Sequence, residues 1–329
     1  MQMIPKTWLI TGGAGYIGAH IADVLISAGH FVVIYDSLCK GLESRITYLR
    51  RKHNIDIPLI KGDIRNYTEI ENVITFYKIE GIMHTAALKS VEESLQKAEE
   101  YNQVNYIATN ALIEIAKRNN VKKFIFSSTA AVYGDPVSHE PCREDDTKNP
   151  ISPYGESKYK AESCVTDFNN IPGNQGTSLR FFNVVGTAAL ELIDNSVDNL
   201  IPIILDKINK GLPVEVYGTN YPTIDGTCVR DFVDVRDIAV AHLAAAQITH
   251  ELPAAINIGT GRGASVREII KMVFEVMNIS DSKVIEIDPR PGDPAILCAN
   301  INLAKTMMGF EAKHPLEASI RSIFQGRAN

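Results

Sequence analysis

Three side chains near the middle of the chain have the chemistry needed to oxidise an alcohol. Tyr154-Gly155-Glu156-Ser157-Lys158 places a phenol and an amine four residues apart, a spacing that puts both on one helical face. Ser152-Pro153 just before them reads as an N-cap and a first helical residue. Ser127-Ser128-Thr129 closes an apolar run 25 residues before Tyr154, so a hydroxyl can meet the phenol and the amine. A phenol with a pKa of about 10 is a poor base. A neighbouring ammonium favours its ionised form. Tyr154 can then take the proton of a substrate hydroxyl as hydride leaves its carbon, while Thr129 hydrogen-bonds the same oxygen. A second Tyr/Lys pair, Tyr48 and Lys52, lies in a basic, polar stretch and reads as a solvated helix face.

The hydride acceptor is legible at the other end. Thr11-Gly12-Gly13-Ala14-Gly15-Tyr16-Ile17-Gly18 contains G-x-G-x-x-G at Gly13, Gly15 and Gly18, and Gly12 extends it. An apolar strand precedes it and a helical pattern follows, the context that gives this motif meaning. Glycines let the backbone approach a diphosphate, and the helix N-terminus favours its charge. Asp36 ends the second strand 18 residues after Gly18. Its carboxylate can accept both ribose hydroxyls and repels a 2′-phosphate, so the expected cofactor is NAD. Asp63, in Gly62-Asp63-Ile64-Arg65, is either an acceptor at the adenine edge or a turn acid. Thr85-Ala86-Ala87-Leu88-Lys89 follows the fourth strand with small residues suited to a close cofactor. Lys89 either touches phosphate or ribose or is solvated.

The elements that must hold these groups alternate. Thr7–Ile10, Phe31–Tyr35, Ile57–Ile60, Gly81–His84 and Lys123–Ser127 read as strands. Tyr16–Ala28, Asn66–Tyr77 and Asn105–Arg118 read as helices between them. Continuous apolar strands separated by helices predict a parallel sheet covered on both faces, a doubly wound, Rossmann-like α/β fold. Beyond Asn183 the pattern changes. Gly186–Asn195 has no period. Leu200–Asn209, Val235–Gln247, Val266–Met277 and Leu316–Phe324 read as helices, and Val214–Gly218 and Ala255–Ile258 as strands. The expected division is a cofactor domain at 1–183 and 234–258, and a smaller α/β substrate lobe at 184–233 and 259–329.

Composition sets bounds. The 329 residues, 45% hydrophobic and 22% charged, carry a net charge of −6; that is ample for a core and gives no general pull toward nucleic acid or an anionic membrane. The five cysteines lie far apart with no C-x-x-C, so neither a disulfide framework nor a metal site is expected. There is no apolar run of about 18 residues and no signal peptide, so a soluble cytoplasmic protein is expected.

Several longer motifs resemble those of the extended short-chain dehydrogenase/reductases, and within them the UDP-glucose 4-epimerase family. They are TGGAGYIG (11–18), GDIR (62–65), ALKSVEES (87–94), FIFSSTAAVYGD (124–135), SPYGESK (152–158), LRFFN (179–183), NYPTIDGTCVRDFV (220–233) and RPGDPA (290–295). The resemblance implies hydride transfer from C4 of a UDP-hexose to tightly held NAD, rotation of the 4-keto intermediate, and return of hydride to its other face. It carries cofactor contacts onto Gly12, Gly15, Tyr16, Ile17, Gly18, Asp36, Asp63, Ile64, Ala86, Ala87, Lys89, Tyr154, Lys158 and Phe182. It makes Tyr154, Lys158 and Thr129 catalytic. It places the UDP-sugar against Lys89, Thr129, Tyr154, Asn183, Asn199, Leu200, Tyr217, Arg230, Arg290, Asp293 and Leu297. The two arginines would clamp the diphosphate, and Leu297 would border the sugar and bear on whether N-acetylated hexoses fit. The resemblance also implies a homodimer built on helices near Val104–Arg118 and Ser157–Phe168.

Two departures stand out: Thr129 where many members have Ser, and Ser37 where Asn is frequent. Other readings remain open at this point. A 4,6-dehydratase needs acids directly after the active-site hydroxyl, where this chain has Ala130 and Ala131. A UDP-glucuronate 4-epimerase or decarboxylase needs a basic residue for the sugar carboxylate. A non-catalytic NAD-binding regulator needs no Tyr/Lys pair.

Overall fold

The computed structural model describes residues 5–324 apart from 137, 139, 197, 198, 281, 282 and 291. The outer ends of the expected domains, Pro291 of RPGDPA and Asp198 therefore lie outside the described residues.

The chain opens with β1 (Thr7–Thr11), α1 (Tyr16–Ser27), β2 (Phe31–Asp36), α2 (Glu43–His53), β3 (Leu59–Lys61), α3 (Tyr67–Phe76) and β4 (Gly81–His84). Two short helices, α4 (Val91–Gln96) and α5 (Ala98–Tyr101), lead through a π-helical turn at Asn102–Ile107 into α6 (Ala108–Arg118). Next come β5 (Lys123–Thr129), a 3₁₀ turn at Ala130–Tyr133, α7 (Pro153–Asn169), β6 (Gln175–Phe181) and β7 (Asn183–Val185). The remainder is α8 (Leu200–Asn209), β8 (Val214–Tyr217), β9 (Val229–Asp234), α9 (Val235–Gln247), β10 (Ala255–Ile258) and β11 (Gly263–Ser265). It ends with α10 (Val266–Met277), β12 (Val284–Ile287), β13 (Ile296–Leu297), α11 (Asn302–Met308) and α12 (Leu316–Phe324).

Seven strands form one parallel sheet in the order β10-β6-β5-β4-β1-β2-β3. Alternate residues feed two cores, as the pleat requires. Trp8, Ile10, Ile34, Ile125 and Leu179 pack toward α1, α9 and α11. Leu9, Val33, Tyr35, Phe124 and Phe126 pack toward α3, α6 and α7. The doubly wound expectation thus holds. A second sheet (β11-β9-β13, with β7 on β9) and the β12-β8 pair gather a third core with α8, α10 and α12. Because β10 joins the edge of β6, the chain leaves the large sheet after Phe181 and returns to it at Ala255.

Some expectations shift. The strand expected at Ile57–Ile60 pairs only from Leu59. Asn105 belongs to the π-helical turn rather than to α6. Six strands, β6, β7, β9, β11, β12 and β13, were not foreseen. The Tyr48–Lys52 face is only partly solvated: Tyr48 packs on the core, and the Lys52 Nζ lies 2.7 Å from Asp23 Oδ2.

Candidate functional site

The glycine loop joins β1 to α1. Gly12 has φ +70°, and a Cβ there would come within 2.6 Å of the Ala86 nitrogen. A Cβ on Gly18 would lie 2.3 Å from the Gly12 oxygen. These glycines therefore let the loop close on itself and on the segment after β4. Gly15 supplies no side-chain cap, and the first turn of α1 carries no acid. That leaves the helix N-terminus suited to an anion.

Asp36 stands beside this loop, buried. Its Oδ2 accepts from the Ala14 amide at 2.9 Å and its Oδ1 from the Leu38 amide at 2.8 Å. Burial raises its pKa, and these amide bonds oppose the rise. A carboxylate has about four acceptor positions, so ribose hydroxyls can still be bound. Asp63, by contrast, is engaged by its own turn: Arg65 donates to Oδ1 at 2.9 Å and to Oδ2 at 2.6 Å. Ile64 is buried in the core beneath. Ala86 and Ala87 follow β4, facing the glycine loop. The loop, the uncapped helix end and Asp36 together fit a dinucleotide diphosphate and ribose.

At the carboxyl end of β5 the three expected catalytic groups converge on neighbouring elements. Ser152 caps α7 by accepting from the Gly155 amide at 3.1 Å, with Pro153 at the first helical position. This turn carries Tyr154 to Thr129. Burial pushes the Tyr154 phenol above its ordinary range, and a hydrogen bond with Thr129 pulls it back. The Tyr101 ring meets the Tyr154 ring edge-on at 6.4 Å. Lys158 is almost fully buried. Its Nζ donates to the Ser127 oxygen at 2.9 Å and sits 4.5 Å from the centre of the Phe126 ring. Burial pushes this amine down to about 7, against the pull of Glu162 one turn along.

Glu162 belongs to a network that sequence reasoning missed. Its carboxylate takes a bidentate bond from Arg180, at 2.9 and 2.7 Å, and accepts from Ser128 Oγ at 2.5 Å. Arg180 also donates to the Tyr133 hydroxyl at 2.9 Å. The network locks α7, β5 and β6 together around Thr129. Its only sequence signal was Glu162 standing one turn beyond Lys158.

The residues expected to hold the UDP-sugar come from two places. Tyr16, Asn183, Asn199 and Leu200 line one cavity of about 230 Å³. Asn199 also donates to Asp194 Oδ2 at 2.5 Å, and Lys89 reaches into the same segment, donating to Ser196 Oγ at 3.0 Å. Tyr217, Arg230, Arg290, Asp293 and Leu297 lie on or beside β8, β9 and β13. The Arg290 guanidinium stacks 4.1 Å over the Tyr217 ring, Arg230 is ion-paired with Asp293, and β13 sets Leu297 beside Arg230 in register. Leu297 packs with Ala130, Val132, Tyr133 and Phe182, the apolar wall next to Thr129. Ile17 packs on the core under the glycine loop.

A hydride-accepting cradle and a phenol–lysine–hydroxyl group on one doubly wound sheet define a class, and comparison with known proteins agrees. Residues 8–259 match the model of the NAD dependent epimerase/dehydratase family, and the chain belongs to that family. Within it the chain is similar to UDP-glucose 4-epimerases. It is 36% identical to that of Halalkalibacterium halodurans, covering 93% of this chain and 91% of the relative. It is 34% identical to that of Haemophilus influenzae, covering 98% and 97%. Among solved structures, a UDP-glucose 4-epimerase from Stenotrophomonas maltophila with bound NAD and formylated UDP-arabinopyranose superposes with a TM-score of 0.91 at 33% identity, covering 97% of each chain. A UDP-N-acetylglucosamine 4-epimerase from Methanobrevibacter ruminantium, in complex with UDP-N-acetylmuramic acid, gives 0.86 at 30%, covering 98% of each.

Proposed function

We propose that the protein interconverts the C4 epimers of a UDP-hexose, UDP-galactose and UDP-glucose first, with N-acetylated forms a further substrate class. The observation that carries this reading is the bond from the buried Lys158 amine to the Ser127 oxygen at 2.9 Å, which ties the helix bearing Tyr154 to the end of β5 at Thr129. NAD, when bound, accepts the C4 hydride and gives it back. Tyr154 takes the C4 hydroxyl proton and later returns it. Thr129 holds the same oxygen, and Lys158 supports the phenolate and the cofactor ribose. The loop of Gly12, Gly15, Tyr16, Ile17 and Gly18 holds the diphosphate, with Asp36 on the ribose. Asp63, Ile64, Ala86, Ala87, Lys89 and Phe182 complete the cofactor wall. Asn183, Asn199, Leu200, Tyr217, Arg230, Arg290 and Asp293 grip UDP. Leu297 leaves the sugar loosely held, as rotation of the 4-keto intermediate requires.

The two-lobe division, cofactor at 1–183 and 234–258 and sugar at 184–233 and 259–329, is part of this proposal and is supported by which strands share a sheet. So is a homodimer through the helical stretches near Val104–Arg118 and Ser157–Phe168, where Ile107 and Tyr159 are exposed. Sedimentation showing only a 36.2 kDa species at micromolar concentration would refute the dimer. A cytoplasmic location belongs to the same proposal; among the described residues no helix is long and apolar enough to cross a membrane.

Purified protein is expected to convert UDP-galactose to UDP-glucose without added NAD. The rate on UDP-N-acetylgalactosamine, run beside it, reads the room that Leu297 leaves. No turnover of either, even with NAD added, refutes the hexose reading and makes UDP-glucuronate the next substrate to test.

A further inference from the structure

Arg45 is a basic residue at a buried position. It lies on the face of α2 that also buries Ile46 and Leu49, and only 2% of it is exposed. Its guanidinium spans two segments far apart in sequence. Nη1 donates to the Ala14 oxygen in the glycine loop at 3.1 Å, and Nη2 donates to the Ile193 oxygen at 2.6 Å. Among the described residues the buried Nε has no hydrogen-bond partner. Asp194, Tyr16 and Asp36 supply the charge and dipole that offset its desolvation.

The segment it reaches is the one that presents Asn199. Its first part is held from α1: the Tyr16 hydroxyl donates to the Gly186 oxygen at 2.5 Å, and the Ala188 amide donates to His20 Nε2 at 3.0 Å. Its last part turns on Asp194, which takes bonds from Ser196 and Asn199. Arg45 fixes the residue just before Asp194. Buried arginine bonded to backbone carbonyls is a strong and directional strut, and a small displacement of a binding group costs affinity out of proportion to its size.

We propose that Arg45 is a positioning residue for the UDP-sugar: it holds Ile193 and Asp194, and through the Asp194 carboxylate Asn199, against the glycine loop that cradles the cofactor. This rests on the UDP-sugar reading above. Arg45 touches neither the reacting atoms nor Tyr154, Lys158 or Thr129, so its loss acts on binding rather than on the chemical step.

The test compares wild type with Arg45→Met and Arg45→Lys, all NAD-loaded. Calorimetry with UDP reads the pocket directly, and UDP-galactose kinetics separate KM from kcat. Arg45→Met is expected to weaken UDP at least fivefold and to raise KM in parallel, with kcat within about twofold. Arg45→Lys keeps a cation near Asp36 and Asp194 but cannot reach both carbonyls; it is expected to weaken UDP as well, and it guards against a Met variant that does not fold. Unchanged UDP affinity in a folded Lys or Met variant, with only the melting temperature lowered, overturns the proposal. A kcat loss without a KM change also overturns it. Failure of wild type itself to bind UDP would overturn the UDP-sugar reading, and this inference with it, and is visible before any variant is made.

Discussion

The Lys158 amine donates to the main-chain oxygen of Ser127 at 2.9 Å, so the catalytic helix is tied to β5 two residues before Thr129. Burial has brought the amine down to about 7, while the buried Tyr154 phenol is raised. Above about 7 the two groups together hold one proton, and the base is available only when that proton is off the phenol.

The pH dependence follows from that proton. Below about 7 the pair holds two protons and the base is occupied. The value of kcat/KM is expected to fall about tenfold per pH unit on that side. In Lys158→Met the phenol titrates alone, so the limb moves several units to the alkaline side. A Lys158→Met profile with its limb still near 7 would show that another group controls the step.

Tyr154→Phe removes the base and leaves the edge contact with Tyr101 in place. Turnover is expected to fall by at least 10²–10⁴-fold, the span of general-base contributions, with NAD content unchanged. Absorbance of the purified variant reads the cofactor and a coupled assay reads the rate. Retained activity would move the base elsewhere.

Asp36→Ala should weaken NAD much more than UDP. The carboxylate holds the Ala14 and Leu38 amides, beside the glycine loop expected to bind the cofactor. Calorimetry showing equal losses for both ligands would refute that assignment.

Four buried histidines, His20, His30, His84 and His242, all lowered by burial, make stability sensitive to acid. His84, between Thr11 and Thr109, is pushed down to about 3 by burial and the nearby Lys158. His20 and His242 are pushed down to about 4, chiefly by burial. Below about 6.5 the unfolded chain binds protons that the folded one refuses, so stability falls with pH at up to roughly 1.4 kcal/mol per unit for each. Asp36, Glu144 and Asp231, raised by burial, push the other way further into acid, so the fall should show between pH 6.5 and 5. Denaturant midpoints at pH 7.5 and 5.5 test it, and His242→Gln should make the slope shallower.

What was legible in the sequence follows a physical division. The boundaries of α8, α9, α10, α12, β4 and β10 match those read from residues alone, because each is apolar with a clear period or ends at a turn residue. The strands β6 and β9 were hidden because they bury polar groups whose partners are remote. Arg180 in β6 is neutralised by Glu162. Asp231 in β9 is held by Thr260, Gly261 and Ala299. Neither pairing can be inferred from local pattern. The same holds for the site. The glycine loop, Asp36 and Tyr154–Lys158 are local motifs, whereas Arg45 belongs to no motif. Only the fold shows that its position is buried.

The return of β10 to the edge of β6 bears on how the chain is made. On the ribosome, β6 emerges well before its outer neighbour, and all of α8, β8, β9 and α9 must be synthesised first. Until Ala255–Ile258 arrives, the unpaired backbone of β6 is open to other strands, at synthesis rates of about 5–20 residues per second. The nascent large sheet is therefore exposed to mispairing for several seconds, and truncation before Ala255 leaves that edge permanently bare. Poor soluble yield of fragments ending near residue 183 is the expected result, even though they contain the whole glycine loop and the catalytic triad.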